Sequence, residues 1–318
     1  MVTGGTGFVG SHLIEALLAD GHEVAVLVRD PARLQTFSFR DRVQQIRGDL
    51  FASEPFPADT EAVLHLAAVT KVIRPVEFDT VNHLGTRHLL QRLQRLPRLG
   101  KVVAVSSLAA AGPSSASVPA TETEPARPVS LYGRSKWLAE QAVFHEAPCP
   151  AIIVRPPIVF GERDLDMLAA LKILKKGLMP ILGKRCRYSV IYVKDLISGI
   201  LHAALSPLKD ELFYLTNPDP VDWEDFMALA AAAMAVRRPR AIRIPLPAVY
   251  VLAQLAEARC RLFRQRAIFN RDKYRELRCH DWICSGAKSE RMLHFVPRFS
   301  LPEALAATIG WYREEGLL

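Results

Sequence analysis

Short runs of β-branched and aliphatic residues recur through the first half of the chain, separated by longer segments of mixed polarity. Residues 23–28 (EVAVLV), 62–66 (AVLHL), 102–106 (VVAVS) and 151–154 (AIIV) are nearly continuous apolar runs, the pattern of strands buried on both faces, and 43–46 (VQQI) is read as a further buried strand between them. Residues 11–19 and 85–96 are amphipathic at helical spacing. This alternation predicts an α/β fold, a doubly wound parallel sheet with helices on both sides. After Gly161 the pattern changes. Residues 163–176, 195–205, 223–235, 245–266 and 301–315 predict helices, and 189–193 a brief return to strand. The expected division is a first domain over 1–160, rejoined by 187–205, and a smaller, mostly helical lobe over 161–186 and 206–318.

Composition narrows the partners. Half of the 318 residues are hydrophobic and 23% are charged, enough for a full core. Lys and Arg number 41 against 33 acidic residues, a net charge of +8. The excess is spread out, with small clusters at Arg237, Arg238, Arg240 and at Arg259, Arg261, Arg264, Arg266. Nucleic-acid binding would concentrate it in one stripe, so no nucleic-acid partner is expected. The five cysteines, Cys149, Cys186, Cys260, Cys279 and Cys284, have no framework spacing and fit free thiols in a reducing compartment. Cys279, His280 and Cys284 lie close together but make an incomplete ligand set, so no metal is expected. The most apolar stretch, 244–256, is too short to span a bilayer and holds two prolines, which leaves only peripheral membrane contact open. The chain opens on a glycine-rich motif without a signal peptide, so cytoplasmic residence is expected.

That motif is residues 3–10, TGGTGFVG. Gly5, Gly7 and Gly10 give G-x-G-x-x-G, followed by a helix and a second strand. The glycines permit a tight turn and close backbone approach, and the helix N-terminus then faces a pyrophosphate. Gly4, Gly5, Thr6, Gly7, Phe8, Val9 and Gly10 are the expected cradle, which makes the first domain a Rossmann-type NAD(P)-binding unit. Only Met1 and Val2 precede the motif, where a strand commonly has about five residues. Either the central strand is unusually short, which lowers stability, or the chain start has been set too late. The end of the second strand carries Val28 and Arg29, with Arg33 one turn on. Arg29 and Arg33 suit a 2′-phosphate and favour NADP(H) over NAD(H), while Asp30 is an alternative partner for a ribose hydroxyl.

Residues 132–136 read YGRSK at the start of a helical run, which sets Tyr132 and Lys136 a turn apart on one face. A tyrosine loses its proton near pH 10, and a neighbouring ammonium and an oxidised nicotinamide both lower that value. The pair is therefore a candidate acid/base toward a carbonyl or hydroxyl. Ser106 and Ser107 end a predicted strand upstream, with Ser107 the preferred hydroxyl to polarise the substrate oxygen.

Together these motifs resemble the extended short-chain dehydrogenase/reductase superfamily through nearly the whole chain. Gly48-Asp49-Leu50 is similar to its signature after the third strand, and His65-Leu66-Ala67-Ala68 to its H-x-A-A turn. Residues 81–86 (VNHLGT), 155–161 (RPPIVFG) and 192–196 (YVKDL) resemble three further motifs of the family. The resemblance implies an enzyme in which Tyr132 is the acid/base and Lys136 holds the nicotinamide ribose and lowers the Tyr132 pKa. It adds Asp49, Leu50, Leu66, Ala67, Ala68, Pro156, Ile158 and Val159 to the cofactor contacts and leaves His65 and Asn82 open as site residues. It also implies a homodimer.

The family spans nucleotide-sugar epimerases, dehydratases and reductases of hydroxysteroid or dihydroflavonol type. In the epimerases an Arg seven residues before the Asp of the 192–196 motif holds the diphosphate; here that position is Tyr188, with Arg187 adjacent. Dehydratases carry Asp-Glu after the catalytic hydroxyl, where Leu108 and Ala109 stand here. With the apolar stretch around residues 246–255, this favours an oxidoreductase for a secondary alcohol or ketone of an apolar small molecule. A nucleotide-sugar 4-epimerase and a non-catalytic NADP-sensing or assembly protein are the alternatives.

Overall fold

Strands as apolar as Ala25–Val28 and Ala151–Arg155 have no face to give to water, so each needs cover on both sides. In the computed structural model, which describes residues 1–114, 118–183, 185–237, 239–263, 270–279 and 281–318, they lie within a seven-stranded parallel sheet. Its strands are β1 (Val2–Thr3), β2 (Ala25–Val28), β3 (Gln44–Arg47), β4 (Ala62–His65), β5 (Lys101–Val105), β6 (Ala151–Arg155) and β7 (Glu211–Tyr214). They pair in the order β7-β6-β5-β4-β1-β2-β3. The register sets Val2 beside both Val26 and Leu64, and Val103 beside both Leu64 and Ile152.

The longer helices, in chain order, are α1 (Phe8–Ala19), α2 (Gly85–Leu93), α3 (Leu131–Glu146), α4 (Leu165–Lys175), α5 (Val193–Leu205), α6 (Trp223–Ala233), α7 (Leu246–Leu262), α8 (Arg271–Leu277), α9 (Ala287–Leu293) and α10 (Leu301–Glu314). Alternate residues of a strand face opposite ways, and β2 divides accordingly. Val26 and Val28 pack with Leu13, Ile14 and Leu18 of α1 and with Leu196 and Ile200 of α5. Ala25 and Leu27 join Leu89, Leu90 and Leu93 of α2 and Ala142 and Val143 of α3. The strand order reverses at β1, so a crevice opens beyond its C-terminal end, where doubly wound sheets bind ligands.

The second lobe has its own core, built by α4, α6 and α10 through Leu171, Leu174, Phe226, Ala230, Leu305 and Tyr312. A two-stranded parallel ribbon, Leu178–Leu182 with Arg240–Ile244, flanks it. Two shorter pairs, Ile158–Phe160 with Val190–Tyr192 and Arg187–Tyr188 with Val221–Asp222, link the lobe to the sheet domain.

Among the strands of four or more residues, three lie where the hydrophobic pattern predicts none. β7 comes from within 206–318, the stretch assigned to the lobe, yet it pairs with β6 at the sheet edge. Its Glu211 and Leu212 are only half buried, so an edge strand of this kind lacks the fully apolar run. Leu178–Leu182 contains Pro180, which cannot donate to a ladder, and Arg240–Ile244 carries two arginines on an exposed edge. The predicted helix over 245–266 is described as far as Leu262. Arg238, Arg264, Arg266 and His280 lie outside the described residues. Among the described residues no helix is long and apolar enough to cross a membrane.

One buried ion pair ties α3 to the sheet. Arg155 of β6 donates from Nε to Glu140 Oε1 at 2.8 Å and from Nη2 to Oε2 at 2.6 Å, with side chains 5% and 2% exposed. Removing one partner leaves a buried charge unpaired. Arg155→Ala is expected to lower the unfolding free energy by about 3–5 kcal/mol. Glu140→Leu with Arg155→Met should recover much of that loss, as urea denaturation followed by tryptophan fluorescence would show.

Candidate active site

Tyr132 and Lys136, the candidate acid/base pair, sit where they do because α3 starts at Ser130. Ser130 is the N-cap, and its hydroxyl oxygen accepts from the Gly133 N–H at 2.9 Å. Gly133 has no room for a side chain, since a Cβ there would stand 2.2 Å from the Ala109 carbonyl oxygen. The helix thus lies tight against Leu108–Ala111, and Tyr132 reaches Ser107. The Ser107 oxygen accepts from the Ala109 N–H at 3.1 Å, which leaves its proton for the phenolic oxygen. Burial pushes Tyr132 up to about 12; the Ser107 bond opposes this and the Glu276 carboxylate adds to it. Burial brings Lys136 down to about 8, against the Glu140 carboxylate. Lowering of the tyrosine pKa is expected from Lys136 together with an oxidised nicotinamide; in the free chain burial sets the direction. Lys136 instead donates to the Val105 carbonyl at 2.8 Å, and desolvation dominates.

Behind the pair lies a fixed polar layer. Ser106, the lesser candidate hydroxyl, donates to Glu140 and is turned away from the Tyr132 side. Asn82, in a π-helical turn over Asp79–Leu84, accepts from the Val69 N–H and donates to the Val69 carbonyl and to Ser135. His65 is clamped between Thr3 (2.7 Å) and Thr86 (2.9 Å), and burial holds its pKa at about 3, so the ring stays neutral. Both residues act here as structural ties.

The glycine loop fits a dinucleotide. Gly4 has φ +74°, and a Cβ there would press within 2.7 Å of the Leu66 and Ala67 backbone. A Cβ on Gly10 would meet the Gly4 carbonyl oxygen at 2.2 Å. α1 begins at Phe8 with Gly7 as an N-cap that offers no side chain, so its first N–H groups need an outside acceptor. Thr6, Phe8 and Val9 are half buried beside them, and Ala68 continues the turn after β4. Arg33 Nη2 reaches the Thr6 carbonyl at 3.4 Å, and Arg29 is exposed nearby at the end of β2. The Asp30 carboxylate accepts from the Ala32 N–H and caps the next helical turn. Asp49 accepts from the Phe51 and Ala52 N–H groups, beside buried Leu50. Pro156 is buried and its carbonyl accepts from Leu108 N–H, Val159 packs into the cores, and Ile158 opens onto the cleft.

That cleft, about 520 Å³, lies between the domains. Tyr132 and Ser107 reach it from one side; Leu108, Ala109, Ile158, Ile181, Leu182, Tyr188, Trp223, Met227 and Trp282 are among its apolar lining. Among the described residues its cations are paired: Lys71 with Asp166, Arg185 with Asp222 and Asp225, Lys273 with Glu276. Arg187 is held by Asp281, 2.7 Å from Nη2.

Two acidic residues of the site escape the sequence analysis. Asp272 accepts from the Leu131 and Tyr132 N–H groups at 2.7 and 3.1 Å, and Glu276 accepts from the Ser130 hydroxyl at 2.7 Å. Their i,i+4 spacing marks one face of α8, but the helix they cap lies about 140 residues upstream and leaves no local signal.

Comparison with known proteins gives the following. The profile of the NAD dependent epimerase/dehydratase family matches residues 1–212. Ceramide reductase of Caulobacter vibrioides (strain NA1000 / CB15N) is 32% identical, over 100% of this chain and 95% of its own length. The 4-hydroxy-2-methyl-3-oxo-4-farnesyl-3,4-dihydroquinoline-1-oxide ketoreductase of Stigmatella aurantiaca is 31% identical over 81% of this chain and 79% of its own. The crystal structure of gox2253 superimposes with a TM-score of 0.77 at 26% identity, covering 100% of this chain and 98% of that one.

The geometry predicts separable effects. Tyr132→Phe should lower turnover by at least about 10²-fold while dinucleotide binding persists. Glu276→Gln removes a negative charge that raises the tyrosine pKa, so the pH–rate midpoint belonging to Tyr132 should move to lower pH. A purely structural Glu276 would change Tm and leave that midpoint in place.

Proposed function

The chain belongs to the NAD dependent epimerase/dehydratase family of NAD(P)-dependent enzymes, and from that premise we propose that it reduces a ketone, or oxidises the matching secondary alcohol, on a large apolar substrate with NADP(H). The observation that carries this reading is the cleft: its wall is mostly aliphatic and aromatic, and its described cations are neutralised by carboxylates. A nucleotide diphosphate needs unspent positive charge, and the Arg187–Asp281 pair argues against a supply at the position adjacent to Tyr188. Leu108 and Ala109 likewise give no carboxylates for elimination chemistry. The names of the two relatives, a ceramide reductase and a reductase of a farnesylated ketone, agree with an apolar substrate.

A bound nicotinamide supplies or accepts the hydride. The uncapped N–H groups of α1 and the glycine loop would hold its pyrophosphate, and Lys136 its ribose. Ser107 donates to the substrate carbonyl oxygen, and Tyr132 gives that oxygen the proton that completes the alcohol. Arg29 and Arg33 would take a 2′-phosphate; Asp30 is committed to its cap and is a poor ribose partner.

Arg29→Ala with Arg33→Ala is expected to raise the KM for NADPH by about 10–100-fold and to leave that for NADH within about twofold. Long-chain and prenylated ketones should be reduced with kcat/KM at least about tenfold above short water-soluble ones. Calorimetry should detect no UDP binding to the NADP-loaded protein. Micromolar UDP binding would transfer the reading to a nucleotide-sugar 4-epimerase.

A further inference from the structure

Helix α7 has two apolar faces and only one of them is covered. Val249 and Ala253 are fully buried, and with Leu246 and Cys260 they form the stripe that seats the helix on its neighbours. On the other side Tyr250, Val251, Leu252 and Leu255 stand 38%, 52%, 48% and 62% exposed, and Phe263 follows at 61%. Among the described residues no other stretch of this length exposes as much large apolar side chain. A helix that keeps a second apolar stripe against water offers that stripe to a partner outside the fold.

The surrounding charge selects the partner. Between 237 and 263 the chain has a single acidic residue, Glu257, whose carboxylate is paired with Arg271 of α8. Arg237, Arg240 and Arg259 in the same stretch are exposed, while Arg243 is paired with Glu224. The ribbon strand Arg240–Ile244 runs straight into α7 and adds exposed Ile242 and, from its partner strand, Leu178. An apolar face bordered by arginine and nearly free of carboxylate is complementary to anionic lipid headgroups over acyl chains. With 17 residues, about 26 Å, α7 is shorter than a span but long enough to lie in the interface plane.

We propose that α7 and the adjoining ribbon form a peripheral docking surface for an anionic lipid bilayer. The surface lies beside the catalytic cleft, which Ile181 and Leu182 of the ribbon and Leu277 of α8 help to line. α8 packs on α7, with Tyr274 against Tyr250 at 5.0 Å between ring centroids, and the same helix caps the catalytic helix through Asp272. Docking would therefore bring the cleft to the membrane surface. It goes beyond the apolar-substrate reading and stands or falls without it.

The test is co-sedimentation of the full chain with vesicles, with no substrate present. Vesicles of phosphatidylcholine alone are compared with vesicles containing about one third phosphatidylglycerol. Binding is expected on the anionic vesicles, with at least about a tenfold loss in Val251→Glu with Leu255→Glu. Arg240→Glu with Arg259→Glu, or about 0.5 M salt, should each weaken it by at least about threefold. All four positions are exposed, so circular dichroism and NADP(H) affinity should match the parent chain. Absence of binding to anionic vesicles overturns the proposal, as does equal binding by the Val251/Leu255 variant. A concentration-dependent dimer broken by those same substitutions, without vesicle binding, would assign the face to a second copy and also overturn it.

Discussion

Glu140 and Arg155 face each other between α3 and the sheet, both withdrawn from water, where an unpaired charge is costly. Burial works against the guanidinium, yet the carboxylate beside it more than compensates and drives its pKa upward. The bidentate contact fixes distance and angle at once. Ser106 at the end of β5 donates to the same carboxylate, and Arg155 Nη1 reaches the Tyr214 hydroxyl of β7 at 3.2 Å. Three strands and α3 therefore share one polar knot. Lys136 lies one helical turn before Glu140 and donates to Val105, so its ammonium is placed by the same arrangement.

The second lobe holds the opposite end of that helix. Asp272 takes the first N–H groups of α3, and Glu276 takes the capping serine. Negative charge at a helix N-terminus is stabilising in general. Here it has a further consequence, because α8, which lines the cleft, also fixes the backbone of Tyr132. Movement of α8 would alter both together, and through Tyr250 and Tyr274 it is joined to α7 at the surface.

Much of this was legible in the chain because local chemistry writes it locally. The buried runs of β2, β4, β5 and β6 could only be doubly covered strands, and the glycines could only serve a close backbone approach. Tyr132 and Lys136 share one helix face, a common spacing that gains weight only beside the glycine loop and the strand-end serine upstream. What stayed hidden depends on distant partners. Asp272 looks like any surface acid until Leu131 is set against it. β7 is a strand only because β6 offers an edge, and Pro180 disguises a ribbon strand whose partner starts at Arg240. His65 and Asn82 sit in motifs that leave their role open, and only Thr3, Thr86 and Val69 reveal them as ties.

The protonation states carry the argument one step further. With its pKa near 12, Tyr132 keeps its proton throughout the neutral range, the form required to protonate a carbonyl oxygen. Oxidation of an alcohol requires the phenolate, which burial and Glu276 both oppose. Lys136, at about 8, holds its charge at neutral pH and loses it as pH rises through that value. Below pH 8 the chain thus presents a protonated tyrosine beside a charged lysine, and above it the lysine charge that would stabilise a phenolate is fading. Burial thus sets both groups in the free chain: it holds the phenol in its protonated form and brings the ammonium within reach of losing its charge just above neutral pH.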